Sequence, residues 1–410
     1  MKNVKGTTDF YPEEEIIKNT VFNSFNSTAK SFGFNYITTP IIENFELLSK
    51  KQGEEIRTQI FSIEKKGNED LAMRAEFTPS FARLFIQKQK QLSKPVKWFC
   101  IDRVWRYEKP QAGRDREFYQ YNVELYGTSE AIADAEIISL AIESLKNLGV
   151  NEKDFVVNIN NRKLLQGLIE QFTDNVNETI GIIDKRKKIN EKDFIKMLKD
   201  AGVKKPDELI KILDIKDVND LKPTNKLAKE GLDKIKQVLS LLDYNCVNFS
   251  IETARGLSYY TGTVFEIYDK QEKFRALCGG GRYDKMIETF GGDATPAIGF
   301  GMGWSTVFLF LKELNLLPES DLGPDYFIAV IDEEKEALKI AQKLRKKYSV
   351  VVNLVKRNLG NQIKFANNIN AKNVIVVGSQ EIKTGEFKVK ELKTGKEKII
   401  TLPCINSGKL

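Results

Sequence analysis

Apolar positions change period several times along the chain, and each change predicts an element. Ile16, Ile17, Val21, Phe22 and Phe25 recur at helical spacing. The following GFNYITTP alternates and ends at Pro40, so residues 10–50 read as a helix followed by a strand. Short strands are expected at 56–63 and 70–75. TPSFARLFIQKQKQL then starts a helix with Thr78 as cap and Pro79 in the first turn. Strands follow around 97–107 and 117–127. Next comes a helix capped by Ser129, with Ile132, Ala135, Ile138, Ile142, Leu145 and Leu148 on one face and Gly149 at its end.

From about 160 to 245 lysine and aspartate dominate and the pattern is helical throughout, which predicts an inserted helical module. Strand character returns at 247–252. TVFEIYD and FRALCGGG predict a hairpin around KQEK, and PAIGFGMGWSTVFLFLKEL runs from a glycine-rich strand into a helix. NLLPESDLGPD, at 315–325, is the expected domain boundary. Beyond it strands and helices alternate, as in a small α/β domain.

A chain of 410 residues has room for two or three domains. No apolar run approaches the ~18 residues of a membrane span, and MKNVKGTTDFYPEEE lacks the apolar core of a secretory signal. Cytoplasmic residence is therefore expected. Cys100, Cys246, Cys278 and Cys404 lie far apart with no C-x-x-C pair, which argues against a disulfide framework or a zinc site. They are read as buried free thiols. There is no histidine, so a histidine base, a Ser–His or Cys–His nucleophile and an imidazole metal ligand are all excluded. Chemistry must fall to arginine, carboxylate, tyrosine and backbone, a restriction that phosphoryl or nucleotidyl transfer can meet. The net charge of +7 permits an anionic partner without requiring one.

Lysine is the default cation, and arginine stands at only 14 positions. Four of these fall between 103 and 116, and three between 255 and 282. A guanidinium fork matches phosphate or carboxylate in a way that an ammonium does not. The clusters therefore point either to an anionic ligand or to structural ion pairs with Glu108, Asp115 and Glu117. CGGGRYD and GGDATPAIGFGMG place backbone where no side chain fits, yet match neither the P-loop nor the Rossmann fingerprint.

With these residues in view, the chain resembles the histidyl-tRNA synthetases, a class II aminoacyl-tRNA synthetase family, over essentially its whole length. KGTTDFYPEE through Pro40 looks like motif 1, and MRAEFTPS is similar to the family's L-R-P-E-x-T segment. WRYEKPQAGRDREFYQYNVELYG looks like motif 2 with its loop. ARGLSYYTGTVFEIY and LCGGGRYDKMI are similar to the two signatures specific to the histidine enzymes. The tail resembles the anticodon-binding domain shared by several class II enzymes.

The resemblance implies an α+β fold: a class II antiparallel-sheet catalytic domain over 1–320, with the helical insertion at about 160–245, and a mixed α/β anticodon-binding domain over 325–410. It implies ATP with Mg2+ and neither zinc nor an organic cofactor. The implied partners are L-histidine, tRNA(His) and a second copy through motif 1. Histidine and ATP would give histidyl-adenylate, and the acyl group would pass to the tRNA 3′ end. By the same resemblance, Arg106 and Arg255 clamp the α-phosphate, Glu108 accepts from the adenine amino group, and Arg114 lies near the substrate carboxylate or phosphates. Glu76, Thr78 and Gln120 hold the α-ammonium group. Glu124 and Tyr260 bond the imidazole nitrogens, and Tyr259 and Tyr283 line the pocket. In the last domain Lys356, Arg357, Asn358, Gln362 and Lys364 are candidates to meet the anticodon. The basic run DKRKKINEKD (Asp184–Asp193) in the insertion is a candidate to embrace the acceptor stem or a solvated surface.

Three positions depart from the family pattern. Thr306 stands where motif 3 carries an arginine, Ala75 replaces a proline, and Tyr119 replaces a histidine. The Thr306 departure favours an alternative, a non-catalytic regulatory subunit of the ATP phosphoribosyltransferase type. Such subunits usually lack the anticodon domain.

Overall fold

Aromatic and β-branched residues crowd Val96–Trp105 and Glu117–Tyr126, and each forms a ten-residue interior strand of a large sheet. The computed structural model describes residues 1–49, 58–65, 67–186, 189–254, 259–401, 403 and 404. The chain forms two units, Met1–Asp9 with Lys18–Pro318, and Phe10–Ile17 with Glu319–Leu410.

In the first unit the strands are β1 (Asn35–Tyr36), β2 (Ile42–Asn44), β3 (Leu71–Met73), β4 (Val96–Trp105) and β5 (Glu117–Tyr126). They continue with β6 (Phe155–Asn161), β7 (Val247–Phe249), β8 (Thr263–Asp269), β9 (Cys278–Arg282) and β10 (Ala297–Gly303). Eight of them form one sheet in the order β1-β4-β5-β10-β9-β8-β6-β7. The interior pairs are antiparallel, while β1–β4 and β6–β7, at the two edges, are parallel. β2 and β3 pair separately.

Because side chains alternate across a strand, β5 has two characters. Tyr119 and Tyr121 turn toward the helix Pro12–Ser31, where Phe22 meets Tyr119 edge-on and Phe25 stacks on Tyr121 with ring centroids 4.9 Å apart. Tyr126 turns the other way and stacks on Phe85 of the helix Thr78–Lys88 at 4.6 Å. Arg74, fully buried beside that helix, stands over the Phe77 ring and is bonded to Thr39, Pro40, Arg103 and Asp102. It fixes the approach of β3 to β4.

Several local expectations change. Thr78 is not a cap: the residue before the helix is Phe77, and the Thr78 hydroxyl donates to Glu124 instead. Ser129 is not a cap either, since Glu130 precedes the helix Ala131–Lys146, and Ile132 is 66% exposed. In place of a strand at 56–63 there is a single bridge from Ser62 to Ala72, and residues 56 and 57 lie outside the described residues. Cys100, Cys246 and Cys278 are buried as expected, but Cys404 is partly exposed.

Among the described residues five α-helices occupy the insertion: Arg162–Ile169, Val176–Ile183, Glu191–Asp200, Pro206–Leu213 and Lys226–Ser240. Asn161, Asn190 and Asn225 cap three of them through side-chain oxygens. In the basic run, Arg186 is ion-paired with Asp214 and Glu252, and residues 187 and 188 lie outside the described residues. The first and last helices cross on glycine. A Cβ on Gly231 would stand 2.2 Å from the Leu164 nitrogen, and one on Gly167 2.5 Å from that of Ala228.

The second unit holds β11 (Tyr326–Ile331), β12 (Val350–Val352), β13 (Asn373–Gly378), β14 (Glu386–Glu391) and β15 (Glu397–Thr401). They form a mixed sheet in the order β12-β11-β13-β14-β15, parallel around β11 and antiparallel beyond β13. The helix Glu334–Leu344 covers one face through Ala337, Ile340 and Leu344, and Leu359–Asn368 covers the other through Ala366. Asn358 caps the latter helix. Gln362 does not face solvent. Its amide donates to Val330 and Arg357 carbonyls and accepts from the Val330 N–H, so it holds the helix to β11.

Gly231→Ala sets helix propensity against sterics. Alanine gains about 1 kcal/mol in a helix, but overpacking costs about 1–3 kcal/mol, and the nearest atom here is backbone. The variant is expected to lose hydrogen-exchange protection across both crossing helices while β4 and β5 stay protected. Unchanged exchange in the helices would show that the crossing has room for a methyl group.

Candidate active site

The cavity-facing positions of β5 are polar where a core strand is ordinarily apolar. Gln120, Asn122 and Glu124 follow at every second residue and bond in series: Gln120 Nε2 donates to Asn122 Oδ1 at 3.1 Å, and Asn122 Nδ2 to Glu124 Oε1 at 2.9 Å. Thr78 Oγ1 donates to the same carboxyl oxygen at 2.8 Å. Glu124 is 1% exposed, and burial pushes its pKa up to about 8, against the lowering effect of the Asn122 and Thr78 hydrogen bonds. Its other oxygen, Oε2, has no hydrogen-bond partner among the described residues, and neither has the buried Tyr283 hydroxyl. Both lie over Gly299 on β10. A Cβ there would be 2.5 Å from Glu124 Oε2 and 2.6 Å from the Tyr283 hydroxyl oxygen. Only glycine leaves room for these two groups.

A cavity of about 600 Å³ opens above them. Glu76, Thr78, Gln120 and Asn122 line it, as do Tyr259, Tyr260 and Tyr283. The three tyrosine rings form a cluster with centroids 4.9–6.3 Å apart, and the Tyr259 hydroxyl donates to Glu76 Oε2 at 3.2 Å. Glu124 lies beneath this lining.

Arg106, Glu108, Arg114 and Phe118 line the same cavity. Arg106 follows the end of β4. Its Nε donates to the Ala75 carbonyl at 2.8 Å and its guanidinium stands 5.6 Å from the Phe118 ring centroid. Arg114 is ion-paired with Glu108 across the loop between β4 and β5. Ser305 Oγ donates to Asp115 at 2.7 Å and Thr306 Oγ1 to the Gly113 carbonyl at 3.4 Å, tying that loop to the helix Trp304–Glu313. Arg255 lies outside the described residues.

The arginine clusters thus divide. Arg282 is 3% exposed and forks onto Asp134, with Asp284 and the Thr128 carbonyl as further partners, so its role is structural. Arg103 pairs with Glu117 and stands over Tyr119, whereas Arg106 and Arg114 border the cavity.

The histidyl-tRNA synthetase family model matches residues 6–307, and an anticodon binding domain model matches 325–403. The chain belongs to the histidyl-tRNA synthetase family. It is 38% identical over 416 residues to a histidine–tRNA ligase of Haloarcula marismortui, an alignment covering 98% of this chain and 95% of that one. Identity to the chloroplastic/mitochondrial histidine–tRNA ligase of Arabidopsis thaliana is 37% over 405 residues, covering 96% of this chain and 83% of that one. The crystal structure of histidyl-tRNA synthetase from Nostoc sp. PCC 7120 superposes with a TM-score of 0.82 at 25% identity, covering 100% of this chain and 98% of that one. For a histidyl-tRNA synthetase family member with its anticodon-binding domain, the regulatory-subunit alternative is not favoured.

Asn122 escaped the sequence reading, although its place between Gln120 and Glu124 in a period-2 strand was the signal that could have found it. Phe118, two residues before Gln120, is on the same face for the same reason.

The raised pKa of Glu124 has a definite sign. Between an ordinary carboxyl value near 4.5 and about 8, the unfolded chain has released this proton while the folded chain keeps it. Folding stability contributed by the group therefore falls as pH rises through that window and levels off above it. Glutamine keeps an oxygen for Thr78 and Asn122 and does not ionise. Glu124→Gln is thus expected to gain stability relative to the native chain from pH 5 to 8 in denaturant titrations. A difference that does not change with pH would show that Glu124 is ionised in the folded protein.

Proposed function

We propose that the chain activates L-histidine with ATP and transfers it to the 3′ end of tRNA(His). The observation that carries this reading is the buried polar floor, where Glu124 Oε2 and the Tyr283 hydroxyl lack partners beneath a cavity bordered by arginines. A histidine ring offers one N–H donor and one nitrogen acceptor, and Glu124 and Tyr260 are proposed to bond them. An amino acid without the ring leaves buried polar groups unpaired, which is strong discrimination without editing.

Glu76, Thr78 and Gln120 hold the α-ammonium group; the Thr78 oxygen can accept a hydrogen bond from it while its own hydroxyl donates to Glu124. Tyr259 and Tyr283 wall the ring. In the first step a carboxylate oxygen of histidine bonds to the α-phosphorus, the bond to the β-phosphate oxygen breaks, and pyrophosphate leaves with that electron pair. Negative charge grows on the non-bridging oxygens. Arg106, already held by Ala75 and Phe118, supplies fixed positive charge there, with Arg255 from the opposite side. Glu108 is proposed to turn from Arg114 to the adenine amino group when ATP, taken as its magnesium complex, is bound. Arg114 then approaches the substrate carboxylate or phosphates. In the second step a ribose hydroxyl of the terminal adenosine attacks the carbonyl carbon and AMP leaves.

Residues 1–320 are assigned to catalysis and 325–410 to reading the tRNA. We place the working form as a cytoplasmic homodimer paired through motif 1. Among the described residues no helix is long and apolar enough to cross a membrane.

The test is ATP–pyrophosphate exchange with each of the twenty amino acids, for the native chain and Arg255→Ala. Exchange is expected with histidine alone, falling about 100- to 1,000-fold in the variant, the range for loss of one transition-state charge partner. No exchange with any amino acid from folded protein would overturn the reading.

A further inference from the structure

Four strands come level beside the arginine-bordered part of the cavity. Gln120 of β5 is opposite Gly303 of β10, Met302 is opposite Cys278 of β9, and Cys278 is opposite Ile267 of β8. The chain leaves this row toward Phe118 on one side and toward Thr306 and the 270–277 loop on the other. That loop is firmly tied. The backbone N–H groups of Lys273 and Phe274 donate to Asp269 at 2.9 Å and the Gly303 N–H donates to the Leu277 carbonyl at 3.3 Å, whereas the half-exposed ion pair of Lys273 with Glu313 adds little to the anchoring. Glu313 belongs to the helix that carries Thr306.

Arg275 projects from this anchored loop. It is exposed, lines the cavity together with Arg106 and Thr306, and makes no hydrogen bond or ion pair among the described residues. By contrast, Arg114 is paired with Glu108, and Arg106 is bonded to Ala75. Thr306 is 6% exposed and uses its hydroxyl on the Gly113 carbonyl, so the helix start brings no charge to this wall. A guanidinium on a fixed backbone, without a protein partner and facing a nucleotide-sized cavity, matches a phosphate.

We propose that Arg275 binds the terminal phosphates of ATP, supplying from the β8–β9 loop the cation that position 306 lacks. This rests on the ATP-dependent reading above. Arg275 fixes the polyphosphate so that pyrophosphate departs in line with the attacking carboxylate.

The test measures equilibrium binding of ATP and AMP to the full chain, native and with Arg275→Ala, Arg275→Lys or Lys273→Ala. Arg275→Ala is expected to weaken ATP about 10- to 100-fold, as for loss of charge-assisted hydrogen bonds. AMP should change less than about twofold, Arg275→Lys should recover part of the loss, and Lys273→Ala should bind ATP as the native chain does. ATP affinity unchanged in Arg275→Ala, an equal loss for AMP, or the same loss in Lys273→Ala would each overturn the assignment. Binding needs no turnover. Histidine-dependent exchange by the native chain, measured alongside, decides the proposed reaction separately from the role of Arg275.

Discussion

Glu124 is a carboxyl group placed where its charge is costly, and much of the site is arranged around keeping it there. It is buried beneath the cavity, on an interior strand of a largely antiparallel sheet, with its proton held to about pH 8. One oxygen is satisfied by Thr78 and Asn122, and the other is left without a partner. An unsatisfied buried polar group costs about 1–3 kcal/mol, so the fold carries a deficit that a ligand group of matching polarity can remove. Under the proposed reading the polar floor is thereby a specificity device, since its free energy improves only when the matching partner arrives.

That arrangement depends on register. Ten paired positions between β4 and β5 and seven between β5 and β10 fix which residues of β5 turn toward the cavity. A slip of one residue would present Tyr119, Tyr121 and Val123 to the cavity and bury Gln120, Asn122 and Glu124 against the helix Pro12–Ser31. The stacked pairs Phe25–Tyr121 and Phe85–Tyr126, on opposite faces, oppose such a slip from both sides. Packing that looks purely structural therefore positions the polar series.

The long periodic elements were legible in the sequence because their signals are local. The helix–strand start, the pair of strands around motif 2, the five-helix stretch and the alternating final domain all follow from spacing. Motif order gave the family. What stayed hidden depends on partners distant in sequence. Thr78 has the chemistry of a cap, but a carboxyl 46 residues away is a better partner for its hydroxyl. Arg282 sits in a glycine-rich signature and looks like a ligand residue until Asp134, 148 residues earlier, is found in its fork. Gln362 has the composition of an RNA contact and is a buried brace. Asn122 was legible by strand parity alone, which shows that alternation carries site information as well as core information.

The five-helix segment connects β6 to β7, which are parallel neighbours with Val157 opposite Val247. Parallel neighbours cannot be joined by a tight turn, so some crossover of a dozen or more residues is obligatory at this edge. The insertion is that crossover enlarged, leaving at the far end of β6 and returning at the near end of β7. The segment can consequently be lengthened, shortened or exchanged without rewiring the strands that carry Glu124. The architecture separates the polar floor of the cavity from an outer module whose length the sheet does not dictate.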